Sequence, residues 1–529
     1  MSKVYSLSDT RSGVRLWHDS VSAATITDSL ILVGAMGLGL ILRLWQFNQL
    51  GFNTDEAVYA GQAAGIIDDP SLKPFFPVFR AHPMLFQFLV SLGFRFGVED
   101  WIGRVLAVAI GLATVLLAYQ LGTLLYGRRA GVFAALLLAL MPYHVVVTRQ
   151  MLLDGPMTFC TTLTLYALAR YAKTQKGAWL CATGVGLGLT FLTKETGMIM
   201  AGAVFAFLAL SPEIRVRLRD LALALACMVV LIATFPVSLA LAGGAKTAQS
   251  YLVWQLFRRP NHDWDFYLTT APVAMGLLVL LVAAAGLWML RRERTWREKL
   301  LLAWIIVPVV FFQLWPTKGF QYLLPIAPAV AVLAARTLSS LSIRRLNPLH
   351  RWRFTLRWRF TLRWMQAIVA TVLALTLLLP SWNAVQASSD NQFLAGTGGI
   401  PGGRESGVWI RDNVPQGAKL ITIGPSMANV LQFYGHRKAY GLSVSPNPLR
   451  RNPSYDPVIN PDLQIRNSEI QYLVWDSFSA TRSPFFAQSL LNYINRYQGR
   501  VIHTESVPVP TAAGGTSESP VIVIYEVHP

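Results

Sequence analysis

The residues of this chain that could do chemistry are charged side chains at the ends of long apolar runs. Asp55 and Glu56 are adjacent and follow the first of these runs, residues 29–45. In a hydrated loop such a pair can be a solvated turn, whereas ionisable groups at a membrane can also mark a functional site. A carboxylate can accept the proton of an attacking hydroxyl, which is general-base chemistry. The choice between the two depends on where the other isolated charges fall.

The composition indicates a polytopic membrane protein. Of the 529 residues, 53% are hydrophobic and 14% are charged, against roughly 25% charged residues in a soluble chain. The net charge of +19 comes largely from short loops between apolar runs, as the positive-inside effect predicts. We therefore expect membrane lipids as partners and no nucleic acid. Cys160, Cys181 and Cys227 all lie in apolar runs, so no disulfide framework is predicted.

About eleven segments are long enough to cross the hydrocarbon layer as helices. They are residues 29–46, 103–125, 130–148, 156–173, 177–193, 196–211, 218–242, 270–290, 300–316, 319–338 and 364–380. If the amino terminus is cytoplasmic, every strongly basic loop lies inside. Residues 1–28 are too polar and too long for a cleaved signal peptide, so they are predicted to form a cytoplasmic segment before a retained first helix.

Residues 82–97 are apolar enough to cross but contain Arg95 and follow a proline-rich stretch, residues 73–77. If this segment crossed, all the basic loops after it would move outside. We therefore predict a helix lying along the membrane surface in the first external loop, with residues 56–67 as a second such helix. The odd number of crossings then places the carboxyl-terminal part of the chain outside.

After Pro380 the apolar runs stop, and residues 381–529 are predicted to form a small soluble α/β domain beyond the transmembrane domain of residues 29–380. Short β-like runs occur at 419–424 and 470–475, helical patterns at 426–434 and 484–497, and a closing strand at 521–527. We expect this domain to cover the external side of the membrane part, connected to it by a glycine-rich linker.

With this topology the isolated charges and their polar neighbours converge on the external face. They are Asp55, Glu56, Arg80, His82, Arg149, Asp154, Lys194, Glu195, Lys318, Gln321 and Tyr322. A carboxylate in this set can accept a proton from a hydroxyl while Lys or Arg neutralises a phosphate leaving group. These are the requirements of group transfer from a phosphorylated lipid.

Four motifs, in their order along the chain, resemble those of the GT-C glycosyltransferases, and within them the protein O-mannosyltransferase and aminoarabinose transferase group. They are NTDE at 53–56, AHPML at 81–85, RQMLLD at 149–154 and LTKETG at 192–197. The likeness covers roughly residues 25–340, and the ordered combination is far more specific than any one motif. It implies the GT-C fold: a polytopic α-helical membrane protein with surface helices in its first external loop.

The resemblance also implies a polyprenyl-phosphate-linked sugar as donor and transfer, with inversion, to a hydroxyl of a protein, lipid or polysaccharide on the external face of the cell membrane. By the same likeness Asp55 is the general base, and Glu56 and Asp154 hold the catalytic site together. Arg80, Lys194 or Lys318 would contact the donor phosphate. The supporting residues would be His82, Arg149, Glu195, Gln321 and Tyr322.

Two departures from the family pattern leave the acceptor open. The loop at 243–267 has about two dozen residues, whereas eukaryotic protein mannosyltransferases carry a large extra domain in a central external loop. Met84 also occupies the place of a second proline after Pro83. The aromatic residues and arginines of the 243–267 loop fit either an interfacial belt or a flexible lid and acceptor groove.

A required cofactor is not expected. His82 with Asp55, Glu56 and Asp154 could complete a divalent metal site, which is the alternative, but the cations already supply the charge that a metal would. A transporter or flippase of a lipid-linked sugar is the second functional hypothesis, and an assembly scaffold the third. No internal repeat relates the two halves of the chain, and the carboxylates lie at the interface, so an enzyme is favoured.

Overall fold

The computed structural model describes residues 10–78, 82–258, 260–340, 356–387, 399–510 and 516–529. Each predicted crossing coincides with a helix or a bent pair of helices. The membrane part consists of α1 (Thr10–Leu44), α2 (Thr54–Ile66), α3 (Leu85–Phe94), α4 (Asp100–Tyr126), α5 (Arg128–Leu140), α6 (Pro142–Thr148), α7 (Asp154–Thr174), α8 (Gly177–Thr193), α9 (Ile199–Leu210), α10 (Leu218–Leu241), α11 (Ala245–Leu256), α12 (Phe266–Met275), α13 (Leu277–Met289), α14 (Trp296–Leu314), α15 (Ala327–Ser340) and α16 (Leu356–Ala384).

Two of the predicted crossings are bent rather than straight. The α5 and α6 axes differ by 61° and the α12 and α13 axes by 96°. Pro142 begins α6 after an extended Met141, because proline lacks a backbone N–H and disfavours helical geometry in the residue before it. Gly276, with φ at 86°, separates α12 from α13. By length and composition four described helices can cross a membrane, or six with the bent pairs, so the total of about eleven stays a prediction.

The loops between the helices contact one another in two separate groups, one at each end of the helices. At one end Tyr126 donates a hydrogen bond to Glu298 at 2.8 Å, and Arg336 pairs with the same carboxylate at 3.0 Å. At the other end Lys194 pairs with Asp154 at 2.9 Å. That α3 does not cross stays a prediction, and its length agrees with it, since its 10 residues extend only about 15 Å as a helix.

The carboxyl-terminal domain contains α17 (Gly403–Asn413), β1 (Lys419–Thr422), α18 (Pro425–Gly435), β2 (Lys438–Gly441), α19 (Pro461–Arg466), β3 (Tyr472–Asp476), α20 (Ser477–Arg482), α21 (Pro484–Arg496), β4 (Arg500–Pro510) and β5 (Thr516–Glu526). The sheet order is β2-β1-β3-β5-β4. The first three strands are parallel, and β5 and β4 are antiparallel to their neighbours. All five predicted elements are present, and α16 continues past Pro380 to Ala384.

The domain packs directly on the first loop of the membrane part. Phe52 lies 5.0 Å from Phe433 between ring centroids, and its backbone N–H donates to the Tyr434 hydroxyl at 2.8 Å. Tyr434 donates in turn to Asp100 at 2.9 Å, and Arg404 pairs with Asp100 at 2.6 Å. Apolar and ionic contacts therefore fix α18 above α2, and one hydrophobic core continues across the boundary.

The burial of α2 was not predicted. The sequence predicts a helix lying along the membrane surface, and in the structure most of α2 is also buried within the protein. It packs against α3 on one side and α18 on the other. Its small residues allow this close packing: a Cβ at Gly61 would lie only 2.2 Å from the ring of Phe76. Because α2 is enclosed, its first turn has a fixed orientation toward the space beneath the domain.

Candidate active site

Asp55 lies at the junction of two cavities beneath the carboxyl-terminal domain. The larger cavity is about 410 Å³ and the smaller about 120 Å³. Asp55, Tyr59, His82, Pro425, Val444, Asn452 and Tyr455 line both. The carboxylate therefore has access to whatever occupies either space.

The start of α2 determines which of the two adjacent acids faces the cavities. Asn53 caps the helix by accepting a hydrogen bond from the Glu56 backbone N–H at 3.0 Å, and the Glu56 side chain accepts one from the Asn53 N–H at 3.1 Å. This reciprocal capping box points Glu56 inward. Asp55, one residue earlier, is left facing the cavities.

The surroundings of the Asp55 carboxylate raise its affinity for a proton. Among the residues that the structure describes, none donates a hydrogen bond to it, and burial raises its pKa even though Lys194 and His82 oppose the shift. A raised pKa makes a carboxylate a better proton acceptor from a hydroxyl. The Tyr455 hydroxyl lies in the same environment, and burial together with the Asp55 charge raises its pKa to about 12.

Glu56 anchors the scaffold and lines neither cavity. Its two oxygens accept hydrogen bonds from Arg104 Nε at 2.8 Å, Arg104 Nη2 at 2.7 Å and the Met151 backbone N–H at 2.9 Å. Both partners of this ion pair are fully buried. The pair joins α2 to α4 and to the loop before α7, and so holds Asp55 in position.

Asp154 and Lys194 form a second buried pair. Lys194 Nζ donates to both carboxylate oxygens at 2.9 Å, and it also lies 5.2 Å from the centre of the Tyr322 ring. The pair joins the beginning of α7 to the end of α8. Lys194 lines the larger cavity with Gln321 and Tyr322, but its charge is already matched by Asp154.

His82 lies beside Glu195 rather than in a cluster of carboxylates. Its Nδ1 is 2.8 Å from a Glu195 oxygen, and the Tyr251 hydroxyl is 3.4 Å from its Nε2. The acids that sequence reasoning grouped with it have separate partners, Glu56 with Arg104 and Asp154 with Lys194. Across the described ranges, no group of three or more His, Cys, Asp or Glu residues is placed to hold a metal ion.

Three arginines that were not predicted as phosphate ligands line the larger cavity. Arg258, Arg450 and Arg451 all reach it, and none has a carboxylate within 4.0 Å in the part of the chain that the structure describes. Arg258 stacks on Trp254 with its guanidinium carbon 4.6 Å from the ring centre. Unmatched guanidinium groups in a partly enclosed space favour an anionic ligand such as a phosphate. The sequence gives only a weak signal for these phosphate ligands. One arginine lies among aromatic residues in the 243–267 loop, and the other two are adjacent in the carboxyl-terminal domain.

Two other predicted site residues, Lys318 and Arg149, lie elsewhere, and a third falls outside the described residues. Lys318 does not line either cavity, because its ammonium lies 5.6 Å from the centre of the Trp264 ring. Arg149 donates to the backbone carbonyls of Val385, at 3.0 Å, and Trp45, so it joins the ends of α16 and α1. Arg80 falls within residues 79–81, outside the described residues.

Residues 81–239 match the family described as dolichyl-phosphate-mannose-protein mannosyltransferase. Among curated relatives, an undecaprenyl phosphate-alpha-4-amino-4-deoxy-L-arabinose arabinosyl transferase of Pseudomonas fluorescens is 30% identical over 255 residues, 44% of each chain. Protein O-mannosyl-transferase 1 of Mus musculus is 26% identical over 241 residues, 39% of this chain and 32% of that protein. The chain thus spans less than half the length of these two relatives.

Two solved structures share the fold over almost the whole chain. ArnT from Cupriavidus metallidurans in the apo state superposes with a TM-score of 0.68 at 16% identity, covering 95% of this chain and 98% of that one. The oligosaccharyltransferase of Archaeoglobus fulgidus gives a TM-score of 0.60 at 15% identity, covering 93% and 74%. The chain therefore has the GT-C fold, and the two curated relatives named above are glycosyltransferases. The recognition made from the four motifs is confirmed.

Proposed function

We propose that this chain is a membrane glycosyltransferase that moves a sugar from a polyprenyl-phosphate-linked donor to an acceptor hydroxyl, with Asp55 as the general base. The observation that carries the proposal is the location of Asp55. Its carboxylate has no hydrogen-bond partner within the described ranges and lies where a cation-lined cavity meets a second cavity.

The larger cavity suits the donor head group. Arg258, Arg450 and Arg451 supply positive charge for the phosphate. Tyr251 and Trp254 line the same cavity, and their apolar ring faces complement the apolar face of a sugar ring. Related folds support the choice of donor, since one ArnT structure is described as bound to undecaprenyl phosphate and one archaeal oligosaccharyltransferase as in complex with a dolichol-phosphate.

The chemistry follows from this arrangement. The acceptor hydroxyl gives its proton to Asp55 as its oxygen forms a bond to the anomeric carbon. The bond between that carbon and the phosphate oxygen breaks, and the phosphate leaves with the electron pair. The arginines stabilise the charge that develops on it. Attack from the side opposite the phosphate inverts the anomeric carbon, and the two cavities on either side of Asp55 suit this approach.

The same proposal places the reaction on the external face of the cell membrane. The site lies at the end of the helices opposite to the strongly basic loops, which are typical of the cytoplasmic side. Polyprenyl tails would remain in the lipid beside the helices while the head group occupies the larger cavity.

The test is whether the protein cleaves its donor or only moves it. Purified protein in proteoliposomes is given a panel of undecaprenyl-phosphate-linked sugars with a cell-envelope extract as acceptor. We expect release of free undecaprenyl phosphate together with transfer of label to the extract. Movement of an intact donor across the bilayer without release would support the flippase alternative and contradict the proposal.

A further inference from the structure

The smaller cavity has a lining that the donor does not use. The first external loop contributes Val58, Gln62, Phe75, Phe76 and Pro77, and the carboxyl-terminal domain contributes Ala428, Asn429, Gln432, Lys438 and Asp456, with others. None of these ten residues lines the larger cavity. The two spaces share seven lining residues, Asp55 among them, but these ten give the smaller cavity a chemistry of its own.

Two amide side chains of α18 define the polar character of the smaller cavity. Asn429 is 7% exposed and Gln432 is 5% exposed. Gln432 Nε2 lies 3.5 Å from Asn429 Oδ1, in a long hydrogen bond. This contact leaves the Asn429 Nδ2 donor and the Gln432 Oε1 acceptor without a partner anywhere in the described residues. Buried polar groups in folded proteins are normally paired, so this free donor and free acceptor would be completed by a ligand that both accepts and donates a hydrogen bond.

A hydroxyl group matches this pair, because it accepts one hydrogen bond and donates another. The charges of the cavity point the same way. Lys438 is paired with Asp456 at 2.7 Å, which leaves Asp55 as the unpaired acid. An anionic ligand would face that carboxylate without an unmatched cation to offset it, in contrast to the larger cavity with its three arginines.

The lining also includes four aromatic side chains. Phe75, Phe76, Tyr59 and Tyr455 line the same cavity as the two amides. A sugar ring presents an apolar face and a hydroxyl-bearing edge, and aromatic rings with amide groups complement both. The volume of about 120 Å³ suits a single small unit rather than an extended segment of chain.

We propose that the smaller cavity binds an uncharged sugar unit of the acceptor, so that the acceptor is a glycan or glycolipid. This inference rests on the proposed function and deepens it. The bound unit presents one hydroxyl to Asp55, while Asn429 and Gln432 hold a neighbouring hydroxyl and fix the orientation of the ring. The carboxyl-terminal domain and the membrane part then form the acceptor site together, and the larger cavity binds the donor.

The test uses full-length protein in lipid nanodiscs and saturation-transfer NMR. The probes are a set of methyl glycosides of neutral hexoses and pentoses, and a serine- and threonine-containing peptide as the competing class. Binding of undecaprenyl phosphate is measured separately on the same samples. We expect at least one methyl glycoside to give a signal and the peptide to give none.

The variant Asn429→Leu with Gln432→Leu removes both amides at similar size. Apolar replacement of unpartnered polar groups should leave folding intact. We expect glycoside affinity to fall about tenfold or more, since two hydrogen bonds are lost, with undecaprenyl phosphate binding unchanged. Gln432→Leu alone is the second variant and should show a smaller loss. The matched control Arg450→Gln should leave the glycoside signal unchanged and weaken the binding of undecaprenyl phosphate.

Three results would overturn the assignment: no signal from any glycoside, an unchanged signal in both amide variants, or binding of the peptide in place of the sugars. If glycosides bind as expected but undecaprenyl phosphate does not, the proposed donor fails and the sugar subsite stands. The two proposals are therefore tested independently.

Discussion

Replacing Glu56 by Gln should destabilise the whole first loop. The Glu56 carboxylate accepts four hydrogen bonds, from Asn53 N, Arg104 Nε, Arg104 Nη2 and Met151 N. Gln keeps the size but loses the charge and one acceptor oxygen, and its amide N–H group then faces the donors. Because both Glu56 and Arg104 are 0% exposed, solvent does not screen the loss. Removing one partner of a buried ion pair costs about 3–5 kcal/mol.

Thermal unfolding of purified protein, followed by tryptophan fluorescence, measures this directly. We expect a clear decrease in the Tm of Glu56→Gln, or loss of a monodisperse protein. Asp55→Asn is the matched control. Burial raises the pKa of Asp55, so its folded state is favoured by protonation and loses that stability as pH rises through the folded pKa. At neutral pH the Asn variant should therefore melt at or above the wild-type temperature. Equal melting of Glu56→Gln and wild type would refute the anchoring role.

Three further outcomes follow. Because burial raises the pKa of Asp55, turnover should fall on acidification at a pH above the ordinary aspartate range near 4, and a pH–rate profile that stays flat down to about pH 4 would contradict the base assignment. Arg258→Gln should weaken undecaprenyl phosphate binding about tenfold or more, whereas Lys318→Gln, outside both cavities, should change it little; equal losses would remove the arginine from the donor site. In a background without native cysteines, an impermeant reagent should label a cysteine at Ser71 and not one at Gln175, and the reverse pattern would invert the topology.

The scaffold could be predicted because apolar runs and basic loops are strong local signals. Every predicted crossing coincides with helical structure, and the segment at 82–97 contains the short helix α3. The bends were not predicted. Met141-Pro142 carried a readable signal for the first bend. Gly276 gave no such signal for the second, because a single glycine among apolar residues is compatible with a continuous helix.

The roles within the site were harder to predict than its members. Asp55 and Glu56 are alike as residue types, and only the capping contact between Asn53 and Glu56 separates the free carboxylate from the anchored one. The spacing of an Asn three residues before a Glu is readable from sequence. The sequence does not show that Arg258 and Arg450 line the same cavity. About 190 residues separate them along the chain, and only long-range packing brings them together.

The carboxyl-terminal domain has a larger part than the sequence suggested. The sequence predicts a cover connected to the membrane part by a glycine-rich linker. In the structure the domain also brings Arg450, Arg451 and Tyr455 into the lining of the larger cavity. It also buries Phe52 against Phe433. Deletion would expose this packed surface and remove cavity-lining groups, so point substitutions are the cleaner test of how the two parts divide the work.

The central claim is that Asp55 removes the proton of the acceptor, and one comparison tests it most directly. Asp55→Asn and wild type are compared for turnover of an undecaprenyl-phosphate-linked sugar and for binding of undecaprenyl phosphate. General-base catalysis contributes about 10²-fold or more, so we predict a loss of that size in turnover with lipid binding within a few-fold of wild type. Near-normal turnover by the folded Asn variant would contradict the account and remove Asp55 as the base.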